Sequence, residues 1–298
     1  MADAPAKTIL FGEHAVVYGK PGIAIPVHAL RTASTFSRDD SGSFRVQSPK
    51  INLDARFEEL ESDHPLRLLL LILMDRFGLQ NLPSGILKIE SNIPLAAGLG
   101  SGASSSVAII RTLAAAVDQM LSDREVSEIA FEIEKLYHGD PSGLDNTVIT
   151  YAKPVFYIKG KSLEILDLPE ELPLLIVNSG EQSRTVEVVA DVRRNAAKLA
   201  PTIEAIGSLV EQSRIALASG DLPQIGSLMN RNQLLLRDLT VSSERIEDIC
   251  EFAMEQGALG AKLTGAGRGG NVIILAENQK EMTALRDKLQ RAGWEVLT

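Results

Sequence analysis

Near the N-terminus, apolar residues come in short runs and alternations that fit pleated strands, where successive side chains point to opposite faces. Lys7–Phe11, Ile23–Val27, Ser43–Ser48 and Leu87–Ser91 read as strands on this pattern. Elsewhere the spacing lengthens to three and four residues. Pro65–Phe77, Ser105–Leu121 and Arg124–Tyr137 therefore read as amphipathic helices, the second opening in a serine-rich stretch able to cap it. From about Leu172 the pattern predicts a strand over Leu174–Asn178, a long helical region over Val186–Ser219 and helices over Ile225–Asp238 and Ser243–Gln256. A strand over Asn271–Ala276 and a last helix with Trp294 near its end complete the order. Strands and helices segregated in this way predict an α+β fold.

Composition narrows the function without naming it. With 298 residues there is enough chain for two domains and a cleft. A net charge of −9 favours neither nucleic acid nor an anionic membrane as partner, so any anion must be met by locally gathered positive groups. The single cysteine, Cys250, excludes an intramolecular disulfide and fits a reducing compartment. The first residues lack the basic and apolar regions of a secretory signal. The longest apolar run, Leu68 to Met74, is seven residues against the roughly 20 that a membrane span needs. It reads as a buried helix segment, and the expected location is cytoplasmic.

Three segments carry candidate chemistry. Gly98-Leu99-Gly100-Ser101-Gly102-Ala103-Ser104-Ser105-Ser106 lies between a predicted strand and a predicted helix. Glycines let a backbone approach a ligand closely, and a helix's first-turn amides and dipole favour an anion, so a polyphosphate suits this place. A flexible glycine-serine turn is the plainer alternative. Gly98, Gly100 and Ala103 also fit a dinucleotide-binding fingerprint, with Asp118 about 20 residues on. Against that, the preceding Leu87-Lys88-Ile89-Glu90 alternates instead of running apolar as a doubly wound parallel strand does.

The second segment runs from Glu134 through His138-Gly139-Asp140-Pro141-Ser142-Gly143-Leu144-Asp145-Asn146-Thr147. Pro141 and Gly143 turn the chain and direct the Asp145 carboxylate, which can accept an alcohol proton; Glu134 can ligate Mg²⁺. A capping aspartate with a structural glutamate would look the same. The third feature is a pair of ends, Pro5–Gly19 with Lys7, Glu13 and His14, and Lys262–Gly270, both joining strand-like residues to glycine turns. Lys7 can neutralise phosphoryl oxygens, and Glu13 and His14 can hydrogen-bond a polyol, although a solvated lysine and a satisfied histidine are equally compatible with the spacing.

Together and in this order, the three motifs resemble the GHMP kinase superfamily along essentially the whole chain. Gly12–Gly19 and His138–Asn146 look most like its mevalonate kinase branch. The resemblance implies a ribosomal-S5-like N-terminal domain over residues 1–168, which binds ATP, and a ferredoxin-like C-terminal domain over 169–298. It implies that Asp145 is the catalytic carboxylate and that Lys7 polarises the substrate hydroxyl and keeps Asp145 charged. Ala97, Gly98, Leu99, Gly100, Ser101, Gly102, Ala103 and Ser104 would wrap the ATP phosphates, and Thr264–Gly270 would brace that loop. Glu134 and Ser101 would hold Mg²⁺, and Glu13, His14 and Thr185 would meet the substrate. ATP and mevalonate are the implied small-molecule partners, with no nucleic acid or membrane, and a homodimer follows by analogy.

Three positions depart from the family pattern. Gly102 stands where the loop usually has a second serine that joins the Mg²⁺ site, so Ser101, a nearby serine or water must serve. Arg268 replaces a glycine and could touch phosphate, the substrate carboxylate or only solvent. Gln233 replaces a frequent histidine. Another small alcohol, such as a sugar or homoserine, is the nearest alternative substrate, and a catalytically silent metabolite-binding relative is the alternative from another class.

Overall fold

The computed structural model describes residues 1–95, 97–138, 141–161 and 163–298, with the side chains of 137 and 138 excepted. Gly139, Asp140 and the His138 side chain of the second motif thus lie outside the described residues. By its contacts the chain divides into two compact units. The first comprises Met1–Lys7, Pro26–Pro94 and Gly100–Ala152; the second comprises Thr8–Ile25, Leu95–Leu99 and Lys153–Thr298. Two strands that pair with each other, β1 (Ala2–Phe11) and β2 (Gly22–Arg38), each contribute residues to both.

In the first unit β2 is followed by β3 (Phe44–Ser48), β4 (Leu53–Arg56), α1 (Pro65–Phe77), β5 (Gly85–Ser91), α2 (Ser101–Ala116), α3 (Asp123–His138) and α4 (Leu144–Tyr151). The strand order is β4-β3-β5-β2, with β3 parallel to β5 and the other pairs antiparallel. Phe44, Val46, Leu87 and Ile89 of the sheet share one core with Leu69, Leu70 and Leu73 of α1, Val107 and Ile110 of α2, and Ile129 and Ile133 of α3. The Leu68–Met74 run is thus part of a packed helix, and among the described residues no helix is long and apolar enough to cross a membrane.

Two boundaries differ from the sequence pattern for identifiable reasons. β2 runs 17 residues, well past Val27, because its buried face continues as Thr32 and Ser34 instead of aliphatic side chains. Thr32 donates to Ser91 Oγ, and at Ser34 the backbone carbonyl accepts from Thr112 Oγ1 while the hydroxyl stays buried without a partner among the described residues. α2 starts at Ser101 and not Ser105, since Gly100 in the left-handed region (φ 73°) launches it; Asp118, at φ 55°, lies just past its end.

The second unit holds β6 (Val155–Tyr157), β7 (Glu164–Ile165), β8 (Leu174–Asn178), α5 (Thr185–Arg194), α6 (Ala196–Ser219), α7 (Leu222–Asp238), α8 (Glu244–Glu255), β9 (Gly260–Thr264), β10 (Asn271–Leu275), α9 (Gln279–Arg291) and β11 (Glu295–Val296). Gly22–Ala24 of β2 pairs with β6, and β6 with β7. The other sheet is antiparallel throughout in the order β11-β8-β10-β9. Fourth, first, third, second is the strand order of a ferredoxin-like split βαβ arrangement. Every residue of β9 and β10 is buried. The long helical region expected over Val186–Ser219 is two helices divided at Asn195, whose side chain donates to the Asp191 carbonyl and so satisfies an end-of-helix acceptor.

Candidate active site

In the first unit the chemistry converges on α4. Gly143, in the left-handed region at φ 80°, starts this helix and sets Asp145 in its first turn. The helix is held at both ends. Asn146 Nδ2 donates to the carbonyl and hydroxyl of Ser127 on α3, and Arg111 of α2 donates to the Thr150 carbonyl. So placed, Asp145 meets Lys7 of β1, with Nζ 3.0 Å from Oδ2. The lysine side chain is 5% exposed and the carboxylate 30%, so the ion pair has one closed side and one open side. The pairing inferred from the motifs is present in the fold.

Glu134 on α3 belongs to the same electrostatic group. Burial pushes its carboxyl up from 4.5 to about 8, the Asp145 charge pushes the same way, and Lys7 opposes both. Two carboxylates served by one ammonium leave a place where added positive charge is favourable. Among the described residues no three His, Cys, Asp or Glu side chains gather into a cage. Mg²⁺ does not need one: it is held by one or two carboxylates with substrate phosphates and water. Glu134 and the Ser101 hydroxyl at the start of α2 are chemically suited to that arrangement.

The glycine loop reaches α2 through Gly98 and Gly100, both with positive φ. Ser104 N donates to the Gly100 carbonyl, closing the first helical turn. The amides of Ser101, Gly102 and Ala103 then have no helical carbonyl in reach, which with the helix dipole makes an anion site. Ser104 takes a different part from the expected one: its amide is used on Gly100 and its hydroxyl donates to the Ala4 carbonyl, so its polar groups anchor the loop to β1. A side chain at Gly102 would meet nothing within 4 Å, and the missing family serine leaves open space there. At the loop's other end, in the second unit, the Ala97 carbonyl accepts from Asn271 Nδ2. The side chain of Leu99 is buried.

The second unit places Glu13, His14 and Thr185. Glu13 is fully buried and its carboxylate is ion-paired with the equally buried Lys262 of β9. His14 has left-handed backbone at φ 60°, and its Nε2 lies 2.9 Å from the Ala266 carbonyl. Burial, assisted by nearby Arg268, lowers its pKa against the opposing effect of the Ala266 bond. Thr185 is exposed at the first position of α5. Its segment is tied to the C-terminal glycine loop, as Ser183 Oγ donates to the Gly267 carbonyl and Gly270 N to the Glu181 carbonyl. Arg268 completes that tie: its guanidinium pairs with Asp191 of α5 and bonds the Thr240 carbonyl.

Lys262, Asp191 and Asn271 are functional candidates that the sequence pattern did not reveal. Each acts on a residue more than 70 positions away, and no local spacing marks such a partner. Gln233, which motif comparison left without a role, joins three elements: it donates to Ser242 Oγ and Glu247 Oε1 and accepts from Leu263 N.

Comparison with known proteins agrees with this geometry. The GHMP kinases N terminal domain matches residues 66–153, and the GHMP kinases C terminal domain matches residues 213–295. The mevalonate kinase of Thermococcus sibiricus is 37% identical over 323 aligned positions, spanning 100% of this chain and 95% of that protein. That of Pyrococcus abyssi is 35% identical, over 97% of this chain and 92% of its own. The crystal structure of L. major mevalonate kinase in complex with R-mevalonate superposes with a TM-score of 0.84 at 30% identity, covering 97% of this chain and 91% of that one.

Proposed function

Since the chain belongs to the mevalonate kinase family of GHMP kinases, it is a kinase, and we propose that it transfers the γ-phosphoryl of ATP to the primary hydroxyl of mevalonate. The products are 5-phosphomevalonate and ADP. One observation carries the chemical part of this reading: the Lys7–Asp145 ion pair, closed on the lysine side, with Glu134 in the same electrostatic group. The choice of alcohol is supported by the relatives named above.

Phosphoryl transfer needs little covalent chemistry from the protein and much positioning and charge neutralisation. Lys7 would donate a hydrogen bond to the attacking hydroxyl and lower the energy of the forming alkoxide character. Asp145 would receive the proton. The hydroxyl oxygen forms the new bond to phosphorus while the bond from the γ-phosphorus to its bridging oxygen breaks, leaving the electron pair on ADP. The α2 first-turn amides would meet the polyphosphate as fixed dipoles that need no reorganisation. Glu134 and Ser101 would hold Mg²⁺, which neutralises phosphate charge when bound. The reaction is assigned to the cytoplasm, where ATP and a lone reduced cysteine are both expected.

A coupled ADP-release assay tests the reading with ATP, Mg²⁺ and mevalonate beside galactose, homoserine and phosphomevalonate. Turnover confined to mevalonate, with phosphate on the primary oxygen by ³¹P NMR, is the expected result. Turnover on another alcohol would keep the kinase and replace the substrate. Silence across the panel with ATP still bound would favour a non-catalytic relative.

A further inference from the structure

Within the second unit, one face of β9 reads as a docking strip for the residues that follow Lys7. Side chains two apart on a strand share a face, and Lys262 and Thr264 both reach the N-terminal segment. Thr264 Oγ1 donates to the Ile9 carbonyl and accepts from Ile9 N and Thr8 Oγ1. Lys262 Nζ donates to the Glu13 carboxylate and to the Leu263 carbonyl beside it. Just beyond the strand, the Ala266 carbonyl holds the His14 ring. Three nearby points on one short segment thus fix residues 8, 9, 13 and 14.

The ion pair is the costly member of this set. Lys262 and Glu13 have side-chain exposures of 0%, and removing both charges from water is repaid only by close mutual pairing. Two apolar side chains would pack at such a place without that cost. What the pair adds is direction: it draws Glu13 inward at the residue before His14. His14 in turn keeps a left-handed backbone, which costs a non-glycine residue about 1–3 kcal/mol and persists only where its surroundings hold it. The turn is pinned on one side by Glu13–Lys262 and on the other by His14–Ala266.

We propose that Lys262 is a positioning residue for the alcohol substrate, acting through Glu13 to fix the backbone and ring of His14. This rests on the reading of the Glu13–His14 turn as substrate-facing. Lys262, fully buried on β9, bonds Glu13 and the Leu263 carbonyl, so its role runs through the turn.

The test compares Lys262→Met, Lys262→Arg and the double variant Glu13→Gln/Lys262→Met. Each is read by thermal melting, by KM for both substrates and by the His14 ring resonance in ¹H–¹⁵N spectra. Lys262→Met should raise the KM for the alcohol more than tenfold, leave the KM for ATP within twofold and shift the His14 resonance. The double variant, with no buried lone charge, should melt nearer the wild type yet keep the raised alcohol KM. Lys262→Arg, which retains the charge, should recover part of it. A melting change with both KM values and the His14 signal unaltered would overturn the proposal, as would equal rises in both KM values. If Lys262→Met does not fold, the double variant and Lys262→Arg carry the same comparison. Should the wild type use an alcohol other than mevalonate, the KM split is read with that alcohol, so the substrate reading can fail while the positioning role stands. Should the wild type be inactive, an unmoved His14 resonance still refutes the role.

Discussion

Gly100 lies directly against the stem of Lys7: a Cβ built at Gly100 would stand 3.0 Å from Lys7 Cγ and 2.8 Å from Ile149 Cδ1. The glycine that turns the chain into α2 is therefore also the surface on which the stem of Lys7 rests. Its φ of 73° suits glycine on conformational grounds as well. Sequence motif and ion-pair geometry meet at this one residue.

Gly100→Ala should accordingly do more than destabilise. The left-handed backbone alone costs about 1–3 kcal/mol, and the added methyl displaces the Lys7 stem. A displacement of about 1 Å at a catalytic group lowers turnover on the order of 100-fold. Stopped-flow turnover and melting measured together should show a kcat loss larger than the unfolded fraction explains. A variant that is merely less stable, with normal kcat at low temperature, would contradict the contact's importance.

Gly102→Ser should be tolerated, because the position has room and no positive φ. Serine in place of glycine in a helical turn favours folding by about 0.5 kcal/mol. The restored hydroxyl should strengthen the apparent affinity for Mg²⁺ in an activity titration at fixed ATP. Weaker apparent Mg²⁺ binding in a well-folded variant would argue that this site is not where the metal is held.

Glu134 links function to stability with opposite signs. In the fold its carboxyl ionises near 8 instead of 4.5. The folded state therefore holds a proton that the unfolded chain has released. Stability falls as pH rises from about the unfolded value to about 8, and the full cost is present above that. Without metal, Glu134→Gln should leave melting near pH 4 unchanged and stabilise the protein at pH 9 by up to about 5 kcal/mol. The same substitution should remove most Mg²⁺-dependent turnover. Equal melting of the two proteins at pH 9 would contradict the burial of this carboxylate beside Asp145.

The helices were legible wherever an apolar stripe was long. α1, α3, α7 and α8 begin and end within a few residues of the spacing pattern, and Ser243 caps α8 as its type suggests. The ends of β1 and β2 were hidden because their buried faces are built from small or polar side chains such as Ala4, Ala6, Thr32 and Ser34, which carry little hydropathy contrast. α4 is not marked by the spacing pattern, since eight residues following Pro141 and Gly143 offer too short a period to recognise. Lys7 and Asp145, proposed for the site from motifs 138 positions apart, form an ion pair in the structure. The partner of Glu13 was not found, because a lysine inside a strand gives no sign that it is buried.

The most direct measurement is a single-turnover experiment with wild type, Asp145→Asn and Lys7→Met, following radiolabel transfer from [γ-³²P]ATP to mevalonate while ATP binding is measured separately. The expected result is transfer by the wild type, a rate reduced at least 100-fold in both variants, in keeping with typical general acid–base contributions, and nucleotide affinity preserved. Transfer at the wild-type rate by Asp145→Asn would contradict the assignment of the Lys7–Asp145 pair as the reacting centre.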